Sequence, residues 1–211
     1  MKKNEYFQKM SKKEKAAYIW DYYHWAILGT AVLIIILASV VHDVTKFRKE
    51  TAVEITMVGA DSGAVENSTY FDAYLTENGY DPKLTEVTVN DALSTSAGSS
   101  VLQVLDAQVM TGDIDILIST QDVFETMSKG GVYEDLSTLL PADLLEKYKA
   151  DLISTESEDQ KKTIISGIRI SGDTGIGRQN FFTGDAVAGI PVNAGHQEDA
   201  VKMLTYMLEH T

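Results

Sequence analysis

The residues with chemical potential gather where strand-like runs of sequence stop. Asp61 and Ser62 follow VEITMVG, Thr95, Ser96 and Ser99 lie in the hydroxyl-rich stretch DALSTSAGSS, and Ser119, Thr120 and Gln121 follow DIDILI. Hydroxyls, a side-chain amide and backbone N–H groups at helix starts can grip a carboxylate, a sugar or a phosphate. The same residue types also serve as ordinary helix N-caps. One cap needs one oxygen, so capping accounts for Ser119 and Thr120 but leaves a surplus of hydroxyls in the stretch around Thr95, Ser96 and Ser99. These residues, with Asp61, Ser62 and Gln121, form the candidate ligand-binding set.

Other constellations point away from catalysis and metals. Neither HExxH nor GxSxG is present, and the chain has no cysteine, so thiolate metal sites, thiol nucleophiles and disulfides are excluded together. Asp113 and Asp115 lie two apart and are expected to act structurally at a strand start rather than as metal ligands. Of the four histidines, His196 alone falls in the body of the chain, with no second ligand near it in sequence. SGDTGIGRQN, residues 171–180, has three glycines but no Gly-Lys-Ser/Thr ending and no alternation of acidic residues. It is therefore neither a Walker loop nor a calcium loop. It is expected as a mobile surface loop, with Arg178 contacting a ligand or partner as the alternative. No catalytic residue, metal site or cofactor is assigned, and the protein is expected not to be an enzyme.

These residues need elements to hold them. Residues 53–59, 85–90 and 113–119 have strand character. Between and after them, residues 66–78, 101–110 and 121–129 show apolar residues at helical spacing. Such β-α-β-α-β-α alternation implies parallel pairing with right-handed crossovers, and the continuous ILI suggests a strand covered on both faces. In open sheets of this kind ligands sit beyond the carboxyl ends of the strands, at the switch in strand order, which is where the candidate set falls. Further along, residues 142–152 are expected as a helix, 154–162 as a charged loop, 163–170 and 187–192 as strands, and 197–210 as a closing amphipathic helix.

Residues 22–41, YYHWAILGTAVLIIILASVV, contain no Asp, Glu, Lys or Arg. As a helix they rise about 30 Å, the thickness of a bilayer's hydrocarbon core. Six lysines precede this segment and only Lys46, Arg48 and Lys49 closely follow it. This asymmetry puts the N-terminus in the cytoplasm and the remainder outside. Tyr18, Trp20, Tyr22, Tyr23 and Trp25 suit the headgroup layer. A cleaved signal peptide has the same general shape, but the run is long and no small-x-small site follows it. The expected organisation is a basic cytoplasmic tail (1–21), a transmembrane helix (22–41), a stalk (42–51) and an extracytoplasmic α/β domain (52–211). Residues 1–25 carry a net +3, which leaves −16 for the rest of a chain whose net charge is −13. So acidic a body repels phosphate backbones, and nucleic acid is not an expected partner.

Three stretches together are similar to a known family. They are GDIDILISTQDVFETMSKGGVYEDLSTLL, the preceding AGSSVLQVLDAQVMTGDID, and the ending AVAGIPVNAGHQEDAVKMLTYMLEH. They resemble extracellular solute-binding proteins of ABC transporters, with the type II periplasmic-binding fold. Asp113, Asp115, Gly130, Gly131, Asp135 and Leu136 fill one of its patterns; Asn193, Ala200, Leu204 and Leu208 fill another. The resemblance implies a three-layer α/β domain with a mainly parallel sheet, a small-molecule solute, and a membrane permease as partner beside the lipid bilayer. The family has two lobes; this chain has room for one, with at most a remnant of the second between Ala150 and Ala186. The alternative is a non-catalytic accessory or assembly subunit of a membrane complex that keeps the fold without binding a solute.

Overall fold

Alternating apolar residues in VEITMV fold as strand β1 (Glu50–Val58), with Val53, Ile55 and Met57 buried on one face. The computed structural model describes residues 11–45, 49–95, 98–157 and 162–210, with backbone alone at 40–45. It divides into two compact units, Met1–Arg48 and Lys49–Thr211.

The first unit contains α1 (Lys12–Thr45), 34 residues and about 50 Å long. It extends past the expected span of 22–41 at both ends, so part of the expected tail and part of the expected stalk are helical. Its apolar stretch is long enough to cross a membrane, by length and composition; a signal sequence meets the same test.

In the second unit β1 is followed by α2 (Ser62–Glu66), α3 (Tyr70–Glu77), β2 (Thr85–Leu93), α4 (Ser99–Thr111), β3 (Ile116–Thr120) and α5 (Gln121–Lys129). Then come α6 (Leu136–Leu139), α7 (Ala142–Lys147), β4 (Leu152–Ser157), β5 (Lys162–Ile170), a 3-10 turn (Gly177–Gln179), β6 (Ala186–Gly189) and α8 (Gln197–Glu209). The helix expected over 66–78 is thus α3, which starts four residues later, with the short α2 before it; the one expected over 142–152 stops at Lys147.

Among the described residues the strands form one sheet in the order β2-β1-β3-β6-β5-β4. The β1 strand pairs parallel with both β2 and β3, Ile55 facing Val89 on one side and Ile116 on the other. The three remaining pairings, β3–β6, β6–β5 and β5–β4, are antiparallel. The expectation of a mainly parallel sheet is therefore correct for its first half only. The physical reason is connection length: only residues 158–161 separate β4 from β5, and a parallel crossover needs a dozen or more. The charged stretch STESEDQKK, expected as a loop, supplies the end of one hairpin strand and the start of the next. This hairpin also replaces the expected remnant of a second lobe, because residues 152–157 and 162–170 extend the same sheet.

Helices cover both faces. Tyr70, Phe71, Tyr74 and Leu75 of α3 pack with Leu136, Leu144 and the apolar face of α8 on one side. On the other, Val101, Leu105 and Val109 of α4 pack with Phe124 and Met127 of α5. The crossovers through α3 and α4 thus lie on opposite faces, as right-handed connections require when strand order reverses. Over the antiparallel half, Phe124 and Tyr133 stack with centroids 4.7 Å apart. A side-chain carbon at Gly167 would stand 2.6 Å from Phe124 Cε2, and one at Gly189 2.6 Å from Tyr133 Cδ1. Glycine at both positions is what lets the rings lie against the strands.

Two buried carboxylates bind distant segments together. The fully buried Asp115 accepts from the Glu54 N–H at 2.8 Å, the His196 N–H at 2.7 Å and His196 Nδ1 at 2.9 Å. This joins the middle of β1 to the starts of β3 and α8, so Asp115 is structural as expected, and His196 has the partner that its sequence neighbourhood did not reveal. Burial, with Asp115 and Asp113 nearby, pushes the Glu54 carboxyl up from its ordinary value. Asp135 caps α6 through the Ser137 N–H and also accepts from the Ile165 N–H and Lys162 Nζ. Burial works against its ionised form, but these donors outweigh burial and hold its pKa below the ordinary value. The Asp135-Leu136 pair of the family-like pattern is thus a cap fused to a strand clamp.

Replacing Asp115 by Ala leaves the part-buried Glu54 and His196 N–H groups without this acceptor and opens a hole in the core. The substitution is expected to destabilise the folded chain by about 3 kcal/mol, seen as a lower urea midpoint at unchanged slope.

Candidate functional site

The carboxyl ends of β1, β2 and β3 define one edge of the sheet, and the reversal of strand order opens between β1 and β3. The antiparallel half contributes to the same edge. Ala186, at the start of β6, pairs with Thr120 at the end of β3 and with Ile170 at the end of β5. The 171–185 connection therefore sits beside the β3 terminus.

The sequence-selected residues divide at this edge. Gly59, with φ of 82°, follows β1, and a side-chain carbon there would meet Thr95 Cγ2 at 3.0 Å and Thr120 Cγ2 at 3.4 Å. Thr95 and Thr120 thus both turn their methyl groups toward Gly59 at the switch point. Asp61 is engaged locally: Oδ1 accepts from the Gly63 N–H at 3.0 Å and the Ala64 N–H at 3.4 Å, capping α2. Ser62 Oγ donates to the Asp91 carbonyl at 3.4 Å. Gln121 is tied along α5 to Glu125 Oε1 at 2.8 Å. Ser99 is exposed at the start of α4, and Ser96 lies outside the described residues.

Capping does not account for Ser119 and Thr120. Thr120 occupies the N-cap position of α5 without a side-chain cap bond. Ser119 is fully buried and turned into the core beside Tyr133, and neither hydroxyl has a well-formed hydrogen bond among the described residues. Burial drives the Tyr133 ionisation far above its ordinary value, with Ser119 acting weakly in the opposite direction. The strand alternation at the β3 end sends one hydroxyl outward and the next inward, which a list of residue types does not distinguish.

The segment expected as a mobile surface loop builds the concave part of this edge. Ile176 and Phe181 are buried, and Phe181 stacks on Phe71 with centroids 6.0 Å apart. Its backbone terminates α8: the Ile176 N–H donates to the Met207 carbonyl at 2.9 Å, and the Gly175 N–H to the Leu208 carbonyl at 3.4 Å. The buried Thr174 donates from Oγ1 to the Ser171 carbonyl at 2.7 Å and accepts from the Gly177 N–H at 3.1 Å. The Phe181 carbonyl accepts from the Asp61 N–H at 2.7 Å, which fastens this connection to the β1–α2 turn. Arg178 turns back onto its own loop, Nη2 reaching the Asp173 carbonyl at 3.4 Å.

The result is a cavity of about 220 Å³. Its wall includes Ile170, Phe181 and Phe182 on the apolar side, and Ser171, Asn180, Thr183 and Asp185 on the polar side. Sequence reasoning placed binding on the neighbouring strand ends and missed these residues. The available signals were the glycine cluster and the Phe181-Phe182 pair ahead of a strand. The glycines separate into two kinds. Added side-chain carbons at Gly175 and Gly177 would collide with the His210 and Ser171 carbonyl oxygens. Gly172 and Gly184 line the cavity, have negative-side or extended backbone, and would meet nothing within 4 Å. At these two positions neither conformation nor packing asks for glycine.

No family model matches the sequence, and no curated protein matches it. Among solved structures, the chain is similar to one described as the substrate binding domain of a molybdenum ABC transporter from Clostridium difficile. The TM-score is 0.39 at 11% sequence identity, over 76% of this chain and 93% of that one.

The two kinds of glycine are expected to respond in opposite ways. Gly175→Ala forces the loop off the end of α8 and is expected to cost about 2–3 kcal/mol in thermal or urea unfolding. Gly172→Ala is expected to be neutral or stabilising by up to about 1 kcal/mol, because it restricts the unfolded chain without a clash.

Proposed function

We propose that this chain is a membrane-anchored, extracytoplasmic solute-binding-like protein that acts in or beside an ABC-type transport system. The observation that carries the reading is the cavity at the carboxyl edge of the sheet, next to the switch in strand order, with two wall glycines that only the open space accounts for. The length and composition of α1 support an anchor, and the lysine-rich side of that helix supports a cytoplasmic N-terminus with the α/β unit outside. The assignment is non-catalytic. Of the two carboxylate–imidazole pairs described, Asp115 with His196 is used to join β1 and α8 at the edge opposite the cavity, and Glu77 with His210, 3.4 Å apart, joins the end of α3 to the residue after α8.

One observation favours a second reading, an accessory or assembly subunit without a solute. The sheet is completed by the β4–β5 hairpin, and among the described residues no second lobe stands over the cavity to close on a ligand.

Two measurements test these assignments. In the full chain in detergent, thermal melts against pooled sugars, amino acids, amines and oxyanions are expected to rise with one pool. A ligand at a hundred times its Kd adds about 2.7 kcal/mol. Gly184→Val is expected to abolish that shift while keeping the unliganded melting temperature; a blank screen across all pools favours the accessory subunit. Because the native chain has no cysteine, single cysteines report orientation. Lys149→Cys is expected to react with an impermeant maleimide on intact cells, and Lys12→Cys only after permeabilisation. The reverse pattern overturns the extracytoplasmic placement.

A further inference from the structure

The cavity wall carries more chemical information than its size. Asp185 is the one ionisable residue among those lining it. Its nearest cation is Arg169 Nη1 at 3.9 Å, the outer limit of an ion pair, and no protein donor among the described residues hydrogen-bonds it. A carboxylate in that state keeps most of its acceptor capacity for a ligand. Two phenylalanines stand in the same wall, Phe181 fixed by its stack on Phe71 and Phe182 half-buried. The N–H groups of Gly172, Thr183 and Gly184 have no partner among the described residues, so an acceptor atom of a ligand finds donors there.

Carboxylate, aromatic surface and no lining cation together make a site for positive charge. A ring face attracts an ammonium through its quadrupole, and the carboxylate supplies the full countercharge. The acidic body adds a field that concentrates cations and repels anions. At about 220 Å³ the cavity has room for a small ligand rather than a single water. We propose that this cavity binds a small organic ammonium ion bearing a hydroxyl or similar acceptor, with Asp185 as counterion and Phe182 as the aromatic surface. The assignment rests on the solute-binding reading and names its ligand class. It differs in charge from an oxyanion.

The experiment titrates the full chain in a non-ionic, phospholipid-free detergent with choline, ethanolamine, the uncharged carbon isostere of choline, and molybdate, by calorimetry. The expected result is saturable binding of choline or ethanolamine, weakened about tenfold or more for the isostere, with no heat from molybdate. Asp185→Asn is expected to weaken the ammonium ligand about tenfold without changing the melting temperature, and Gly184→Val to abolish its binding. Gln103→Ala, exposed on α4 and away from the cavity wall, serves as the unaffected control. Equal binding of ammonium and isostere, or binding of molybdate alone, overturns the ammonium assignment. If Gly184→Val still abolishes that binding, solute binding in the cavity stands. Binding by none of the four probes overturns the ammonium assignment outright, and the solute-binding reading then depends on the remaining pools of the melt screen. A parallel titration with a short-chain phosphatidylcholine separates the two sources of the same headgroup chemistry. Tighter binding of the lipid than of free choline assigns the ammonium to a membrane lipid, and the reverse order assigns it to a free solute.

Discussion

A helix that ends against the body of a protein leaves its last carbonyl groups in need of donors, and at α8 that need is met from another part of the chain. The Gly175 and Ile176 N–H groups arrive from the β5–β6 connection and take the Leu208 and Met207 carbonyls. To bring backbone that close, the connection must have no side chain at Gly175 or Gly177. Once it is fastened there, Ile176 falls into the core, Phe181 stacks on Phe71, and the Phe181 carbonyl reaches the turn after β1. The cavity is the space left inside this arrangement. It is held by hydrogen bonds that serve the helix, so its shape does not depend on a ligand being present.

The sheet explains why this edge is available. In the parallel half, helices must cross over the faces, and both faces are covered accordingly. In the antiparallel half, β4 and β5 pair with only four residues between them and no crossover is needed. The longer β5–β6 connection is the exception among these antiparallel links. Its length is spent at the edge where the parallel strands end, so the two halves of the sheet jointly frame one concave surface.

Much of the first half was legible in the amino-acid sequence because its signals are local. The 3.6-residue spacing of Val101, Leu105 and Val109 and the unbroken ILI of β3 each declare their element without help from the rest of the chain. The second half was harder because its structure is set by partners far away. STESEDQKK reads as solvent-exposed loop, and its first four residues become strand because β5 lies beside them with Thr155 facing Ile164. Asp115 and His196 are 81 residues apart in sequence and 2.9 Å apart in space. The candidate site was legible as an edge but not as a set of side chains. Alternation turned Ser119 inward, local bonds occupied Asp61, Ser62 and Gln121, and the concave wall came from a glycine-rich stretch that sequence rules assign to loops. Gly172 and Gly175 look alike in the sequence, and only the neighbouring carbonyl of His210 separates them.

The rings of Phe124 and Tyr133 lie against Gly167 and Gly189 so closely that neither strand position has space for a methyl group. The next residues along, Ile168 and Ala188, are paired across β5 and β6, so the two glycines follow as neighbours under one aromatic stack. These four positions form a coupled unit under sequence drift. A larger residue on either strand is tolerated only after the ring above it has shrunk, and a lost ring opens a hole that only a strand substitution can refill. Homologous chains are therefore expected to change these positions in pairs, and that correlated record will mark descent of this sheet even where overall identity has decayed.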